Sequence, residues 1–181
     1  MLEFLLLGGS LMAETCFSID SFGPDEAPRW VVVNDGVMGG LSEGLTRTDD
    51  GQLIFEGVIN TNGGGFSSLR RQVEPGALAG VESMRLHWSS DGRAYKMTFR
   101  TDARRFRRPI SYQAAIPPSD GAGVTDIALT DMRTSIFGRT VDAPPFDPAK
   151  VEEIGIILAD GQDGPFRITL DKIEGCRAEG S

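Results

Sequence analysis

Ser83-Met84-Arg85-Leu86-His87-Trp88 and Tyr95-Lys96-Met97-Thr98-Phe99-Arg100, with Asp91-Gly92 between them, decide the fold class. In the first run Met84, Leu86 and Trp88 share one side, and Arg85 and His87 share the other. In the second, Tyr95, Met97 and Phe99 oppose Lys96, Thr98 and Arg100. Alternation at every second residue is the signature of a strand with one face on a core. Asp91 and Gly92 both tolerate positive φ, so the spacing predicts a β-hairpin.

The same pattern extends outward. Residues 110–116 place Ile110, Tyr112, Ala114 and Ile116 on one side, and residues 166–171 do so with Phe166, Ile168 and Leu170. Residues 30–33, 53–59, 66–70, 124–129 and 154–158 are shorter or more continuously apolar, and residues 16–22 make a first strand. About ten strands joined by Gly, Pro and Asp turns predict an all-β, antiparallel β-sandwich or jelly roll. Two short helices are expected, at 147–153 behind the Asp147 cap and Pro148, and at 75–80. Residues 16–176 read as one domain, residues 1–15 as a leader or an upstream start before Met12, and 177–181 as a tail. The leader has the apolar core of a signal peptide, but Glu3 stands where a basic residue is wanted.

The chain has 181 residues and a net charge of −8, from 18 basic and 26 acidic residues. A general nucleic-acid binder needs cations against phosphates, so that class is excluded. Arg93, Lys96, Arg100, Arg104, Arg105, Arg107 and Arg108 nevertheless crowd one stretch. Such a run is a solvated loop or a docking patch for an acidic partner or lipid head groups. No apolar run approaches the length of a transmembrane helix. Cys16 and Cys176 flank the first and last strand candidates and could face each other if those strands pair. Reduced thiols are expected of a cytosolic protein; a disulfide would indicate export.

Gly40-Leu41-Ser42-Glu43-Gly44 matches the nucleophile-elbow pattern, but turn residues follow where that motif needs a helix. The single histidine, His87, sits in a strand and reads as a sheet-surface residue. No metal, phosphate or dinucleotide motif is present, and no enzyme is expected. Two glycine-rich segments remain: Trp30-Val31-Val32-Val33-Asn34-Asp35-Gly36-Val37-Met38-Gly39-Gly40-Leu41-Ser42 and Asn60-Thr61-Asn62-Gly63-Gly64-Gly65-Phe66-Ser67-Ser68-Leu69-Arg70. They are either structural turns or a binding rim. In the second reading Asp35, Met38, Gly39, Gly40, Ser42, Asn62, Gly64, Gly65, Phe66, Ser68 and Arg70 form the surface. Asp35 and Asn62 would lock the loops, and Met38 and Phe66 would supply apolar contact. A polar sheet face of Arg85, His87, Lys96, Thr98, Arg100 and Gln113 is the second candidate.

Those two segments carry a resemblance to the complex I intermediate-associated protein family of the 30-kilodalton type. It continues through Asp91-Gly92-Arg93-Ala94-Tyr95, Tyr112-Gln113-Ala114 and the run from Ile154 to Phe166, covering about residues 17–173. The resemblance implies a galactose-binding-like jelly roll and a non-catalytic role. The implied partner is a protein, a respiratory-complex assembly intermediate held by an assembly factor or chaperone. Relatives of that fold bind carbohydrate, which is the alternative function, and some carry a structural calcium, for which Asp171 is the candidate ligand here. No cofactor is otherwise implied. Residues 1–16 contain no arginine, unlike a mitochondrial presequence. The chain therefore resembles a stand-alone bacterial member, expected in the cytoplasm at the periphery of the inner membrane.

Overall fold

The computed structural model describes residues 14–118 and 120–178. Most of the expected leader, and the end of the expected tail, lie outside the described residues. Thirteen strands are described: β1 (Glu14–Asp20), β2 (Val31–Asn34), β3 (Glu43–Asp49), β4 (Gln52–Ile59), β5 (Ser67–Gln72), β6 (Ser83–Asp91), β7 (Tyr95–Arg105), β8 (Arg108–Ala115), β9 (Asp120–Ala128), β10 (Arg133–Ile136), β11 (Arg139–Thr140), β12 (Val151–Leu158) and β13 (Gly164–Ala178). All pairings among them are antiparallel. One sheet runs β3-β4-β13-β6-β9, with β1 also on β13; the other runs β11-β10-β8-β7-β12-β5-β2. No described helix is long and apolar enough to cross a membrane.

The expected all-β sandwich is therefore the observed fold, and the alternating residues are the reason. Met84, Leu86 and Trp88 from one sheet, and Tyr95, Met97 and Phe99 from the other, are buried in one core. Ile110, Tyr112, Phe166, Ile168 and Leu170 join them. Burying such a side chain stabilises the fold by about 1.5–3 kcal/mol, so the apolar stripes lock each strand's register. Three strands lacked this signal. Strand β3 has no buried residue, and β10 and β11 bury only Ser135.

The structure corrects four local expectations. First, the Asp91-Gly92 turn is not a hairpin: β6 pairs with β13 and β9, whereas β7 pairs with β8 and β12. The chain changes sheets there because Arg93 is drawn inward. Its Nε and Nη2 donate to Asp160 at 2.9 and 2.7 Å, and Nη1 and Nη2 reach the carbonyls of Gly164, Pro165 and Gln162. Arg93→Ala should therefore lower unfolding stability by about 2–3 kcal/mol, read by denaturant titration. A loss under about 1 kcal/mol would show that other contacts hold the crossover.

Second, most of the basic run is not a loop: Lys96, Arg100, Arg104 and Arg105 lie on β7, Arg107 is in the turn that follows and Arg108 opens β8, while Arg93 sits in the crossover loop. Third, neither helix forms. Residues 148–150 make a single 3-10 turn capped by Asp147 Oδ1, which accepts from the Ala149 N–H, and Val151 already opens β12. Residues 75–80 are a run of turns. Fourth, the cysteines are not thiols. Cys16 and Cys176 stand directly opposite each other on β1 and β13, 4.1 Å apart at Cα, and are joined by a disulfide.

Candidate functional site

Strand β2 ends at Asn34, and Asp35 starts a 3-10 turn, Asp35–Met38, that carries the chain towards β3. The turn forms because its first residue has somewhere to put its carboxylate. Asp35 is fully buried. Its Oδ1 accepts from the Ser42 N–H at 2.9 Å. Its Oδ2 accepts from the Ser42 hydroxyl at 2.6 Å, the Gly65 N–H at 2.6 Å and the Phe66 N–H at 3.2 Å. Burial pushes the carboxyl pKa up, but the Ser42 hydroxyl and these amides outweigh it, holding Asp35 below the ordinary carboxylate range. One carboxylate thus ties together the two glycine-rich segments.

The glycines make room for it. A Cβ at Gly40 would lie 2.2 Å from Asp35 Cγ, and one at Gly64 would lie 2.4 Å from Asp35 Oδ2. Gly65 has φ +121°, which side-chain-bearing residues rarely adopt. Ser42 Oγ also accepts from the Asn60 N–H at 3.0 Å. Asn60, not Asn62, locks the second loop: its Oδ1 accepts the Asn62 N–H, while Asn62 itself is exposed. Asp163 adds a further hold on the Thr61 N–H, at 2.6 Å.

This knot forms one wall of a cleft of about 470 Å³ over the outer face of the seven-stranded sheet. Val37, Met38, Gly64, Gly65 and Phe66 line that wall. The floor follows from strand register. Arg70, Gly155, Thr98, Gln113 and Arg133 stand side by side on β5, β12, β7, β8 and β10. Gly155 leaves space for Arg70: a Cβ there would lie 3.3 Å from Arg70 Cγ. Lys96, Arg100, Ser111 and Ser135 complete the floor, and Phe137 with Gly138, from the β10–β11 turn, forms the far wall.

The floor is cationic. Arg100 pairs with Glu153 at 3.2 Å. Arg70 Nε donates only to the Ser68 hydroxyl, at 3.0 Å, and no carboxylate of the described residues lies within ion-pair distance of Arg70 or Lys96. Arg133 Nη2 reaches the Thr140 hydroxyl at 3.2 Å. Burial, and then the like charge of Arg100, pull the Arg70 pKa below its ordinary value, with Glu153 opposing.

The expected residues sort into three groups. Met38, Gly64, Gly65, Phe66, Arg70 and Arg100 line the cleft. Asp35, Gly40, Ser42 and Ser68 sit behind its lining, the last donating to the Val33 carbonyl at 3.0 Å. Gly39 and Asn62 are exposed beside it. The second candidate face is split: Arg85 and His87 lie on β6 in the opposite sheet, while Lys96, Thr98, Arg100 and Gln113 lie on the cleft's sheet. That error descends from the hairpin expectation. Arg133, Ser135 and Phe137 were missed, although Arg133-Thr134-Ser135-Ile136-Phe137-Gly138-Arg139-Thr140 has a turn dipeptide between two short runs.

The other candidates take up structural roles. Ser42, the residue before β3, is tied to Asp35, and His87 on β6 places its Nε2 2.7 Å from Glu174 on the neighbouring β13; β4 and β13 stand between β3 and β6. Asp171 accepts from Gln52. One cluster of potential metal ligands occurs among the described residues, Glu14, Cys16 and Cys176, and its two sulfurs are bonded to each other.

Solved structures match this architecture. A family 11 carbohydrate-binding module from Clostridium thermocellum, in complex with a β-1,3-1,4-mixed-linked tetrasaccharide, is 15% identical with a TM-score of 0.63, covering 91% of this chain and 96% of that one. The same module family from the cellulosomal cellulase Lic26A-Cel5E of Clostridium thermocellum is 12% identical, TM-score 0.66, over 93% and 99%. A family 29 carbohydrate-binding module is 13% identical, TM-score 0.54, over 92% and 90%. At these identities the likeness is one of fold. No curated protein matches the chain. Residues 19–170 match the family described as Complex I intermediate-associated protein 30 (CIA30). That match spans most of the sandwich and both glycine-rich loops, and the chain belongs to the complex I intermediate-associated protein 30 family.

Proposed function

We propose that this chain is a non-catalytic binding domain that holds a protein partner, an assembly intermediate of respiratory complex I, in the manner of an assembly factor or chaperone. The observation that carries this reading is the cleft, which has a cationic floor and an adaptable apolar rim, while Ser42 and His87 are engaged away from it with Asp35 and Glu174. Val37, Met38 and Phe137 are exposed at 74%, 50% and 59%. Flexible apolar side chains beside fixed charges suit a protein surface. Family membership supports the complex I association. The test is affinity capture of the full chain from native membranes with mass spectrometry. Complex I subunits should be enriched, and a deletion strain should accumulate partly assembled complex. Normal complex I in that strain, with no subunit captured, sinks the reading.

Carbohydrate binding is the second reading, favoured by the hydrogen-bonding floor of Ser111, Gln113 and Ser135 and by a shared fold with sugar-binding modules. Against it stand the tryptophans and tyrosines: Trp30, Trp88, Tyr95 and Tyr112 are all buried, which leaves no indole or phenol platform for a sugar ring. A glycan array should give no hits.

The sequence suggested a cytoplasmic site at the inner membrane, whereas the Cys16–Cys176 bond favours an oxidising compartment. Alkylation of freshly lysed cells should leave both cysteines unlabelled until a reductant is added. Labelling without reductant would return the domain to the cytosol.

A further inference from the structure

Four cations line the cleft, Arg70, Lys96, Arg100 and Arg133, and no acid among the described residues does. Only Arg100 has a carboxylate partner among the described residues, Glu153. This concentration stands out on a chain of net charge −8. Arg70 is the sharpest case. It lies half-buried against the sheet, with a neutral hydroxyl on its Nε, the like charge of Arg100 nearby, and only the more distant Glu153, already paired with Arg100, opposing that charge. A desolvated guanidinium is stabilised most by a carboxylate in its plane.

We propose that this cleft docks an acidic peptide segment of the partner, its carboxylates on Arg70, Lys96 and Arg133 and its apolar side chains against Met38 and Phe137. This deepens the partner-holding function proposed above and rests on it. The dimensions fit. Arg70 and Arg133 occupy the ends of a register row across five strands. Strands spaced about 4.8 Å apart put them about 19 Å apart, the span of about six extended residues. The occupant is a peptide and not an acidic glycan because the exposed walls are Val37, Met38 and Phe137, which offer adaptable apolar contact, while every tryptophan and tyrosine faces the core.

The probe is a fluorescein-labelled peptide of about ten residues with interspersed glutamates and leucines, measured by anisotropy on the full chain. Its glutamine counterpart and tetragalacturonate are run beside it. The glutamate peptide should bind, about tenfold or more tighter than the glutamine peptide, and should weaken as salt rises from about 50 to 300 mM. The double variant Arg70→Gln/Arg133→Gln should lose about tenfold or more, and Lys96→Gln or Arg133→Gln alone a smaller share, which keeps the test open if the double variant misfolds. Arg167→Gln, on the opposite sheet, should change nothing. Equal binding of both peptides, no binding of either, no effect of the cleft variants, or binding of tetragalacturonate in place of peptide each overturns the proposal.

Capture from native membranes separates the two levels. Equal capture of complex I subunits by the wild type and the double variant sinks the cleft and spares the partner. If charge-dependent peptide binding holds and no subunit is captured, the cleft stands and the complex I reading falls.

Discussion

Asp35→Ala should lower unfolding stability by about 4 kcal/mol, near the upper end of what one side chain controls. The substitution removes the acceptor for four donors, the buried Ser42 N–H and Oγ–H and the part-buried Gly65 and Phe66 N–H groups. Each stranded donor costs about 1–3 kcal/mol, less than additively because the loops can relax. Peptide binding should weaken as well, since Gly64, Gly65 and Phe66 are cleft wall. A loss below about 1 kcal/mol in denaturant titration would mean that the glycine-rich loops hold themselves.

The same carboxylate makes the fold acid-sensitive in a defined direction. Its folded pKa lies below the unfolded value near 4. The stabilisation is therefore complete above that unfolded value and is lost as pH falls through the folded one. Asp35→Asn, which cannot titrate, should be less stable at neutral pH and should flatten the acid limb of the stability curve below about pH 4. An acid limb as steep as that of the wild type would assign the sensitivity to other carboxylates, of which Asp160 is also held low: burial raises it and the Arg93 hydrogen bond prevails.

Reducing the Cys16–Cys176 bond should lower stability by about 3–5 kcal/mol, the second large effect. The bond closes a loop of 160 residues, so it removes much of the unfolded chain's freedom. Cys16→Ser should reproduce the effect without added reductant. Equal melting of oxidised and reduced protein, within about 1 kcal/mol, would show that β1 pairing alone suffices. Neither form should lose the cleft, because both cysteines belong to the opposite sheet.

What the chain declares about itself is its pattern of burial. Met84, Leu86 and Trp88, or Ile110, Tyr112 and Ala114, fall on a core face because the pleat alternates, and sequence records that alternation directly. Sheet membership is a different kind of fact. Asp91-Gly92 signals only that the chain turns; the partner that sends β7 to the other sheet is Asp160, 67 positions beyond Arg93. The cleft shows the same limit. Met38, Phe66 and Arg70 drew notice through their glycine-rich loops, but Arg133 and Phe137 come from a hairpin with almost nothing buried. Asp35 was legible as a loop residue, yet its burial depends on two glycines from separate segments leaving space for it.

The disulfide has a mechanical side too. Residues 14 and 178 lie opposite each other on β1 and β13, with the cystine two rungs further along. A pull applied to the two ends meets that covalent bridge after only the outermost backbone pairs have opened. The tension then runs through sulfur, and both sheets stay unloaded. Pulled between its two ends, the domain would bear force as a clasp and keep its recognition surface undeformed.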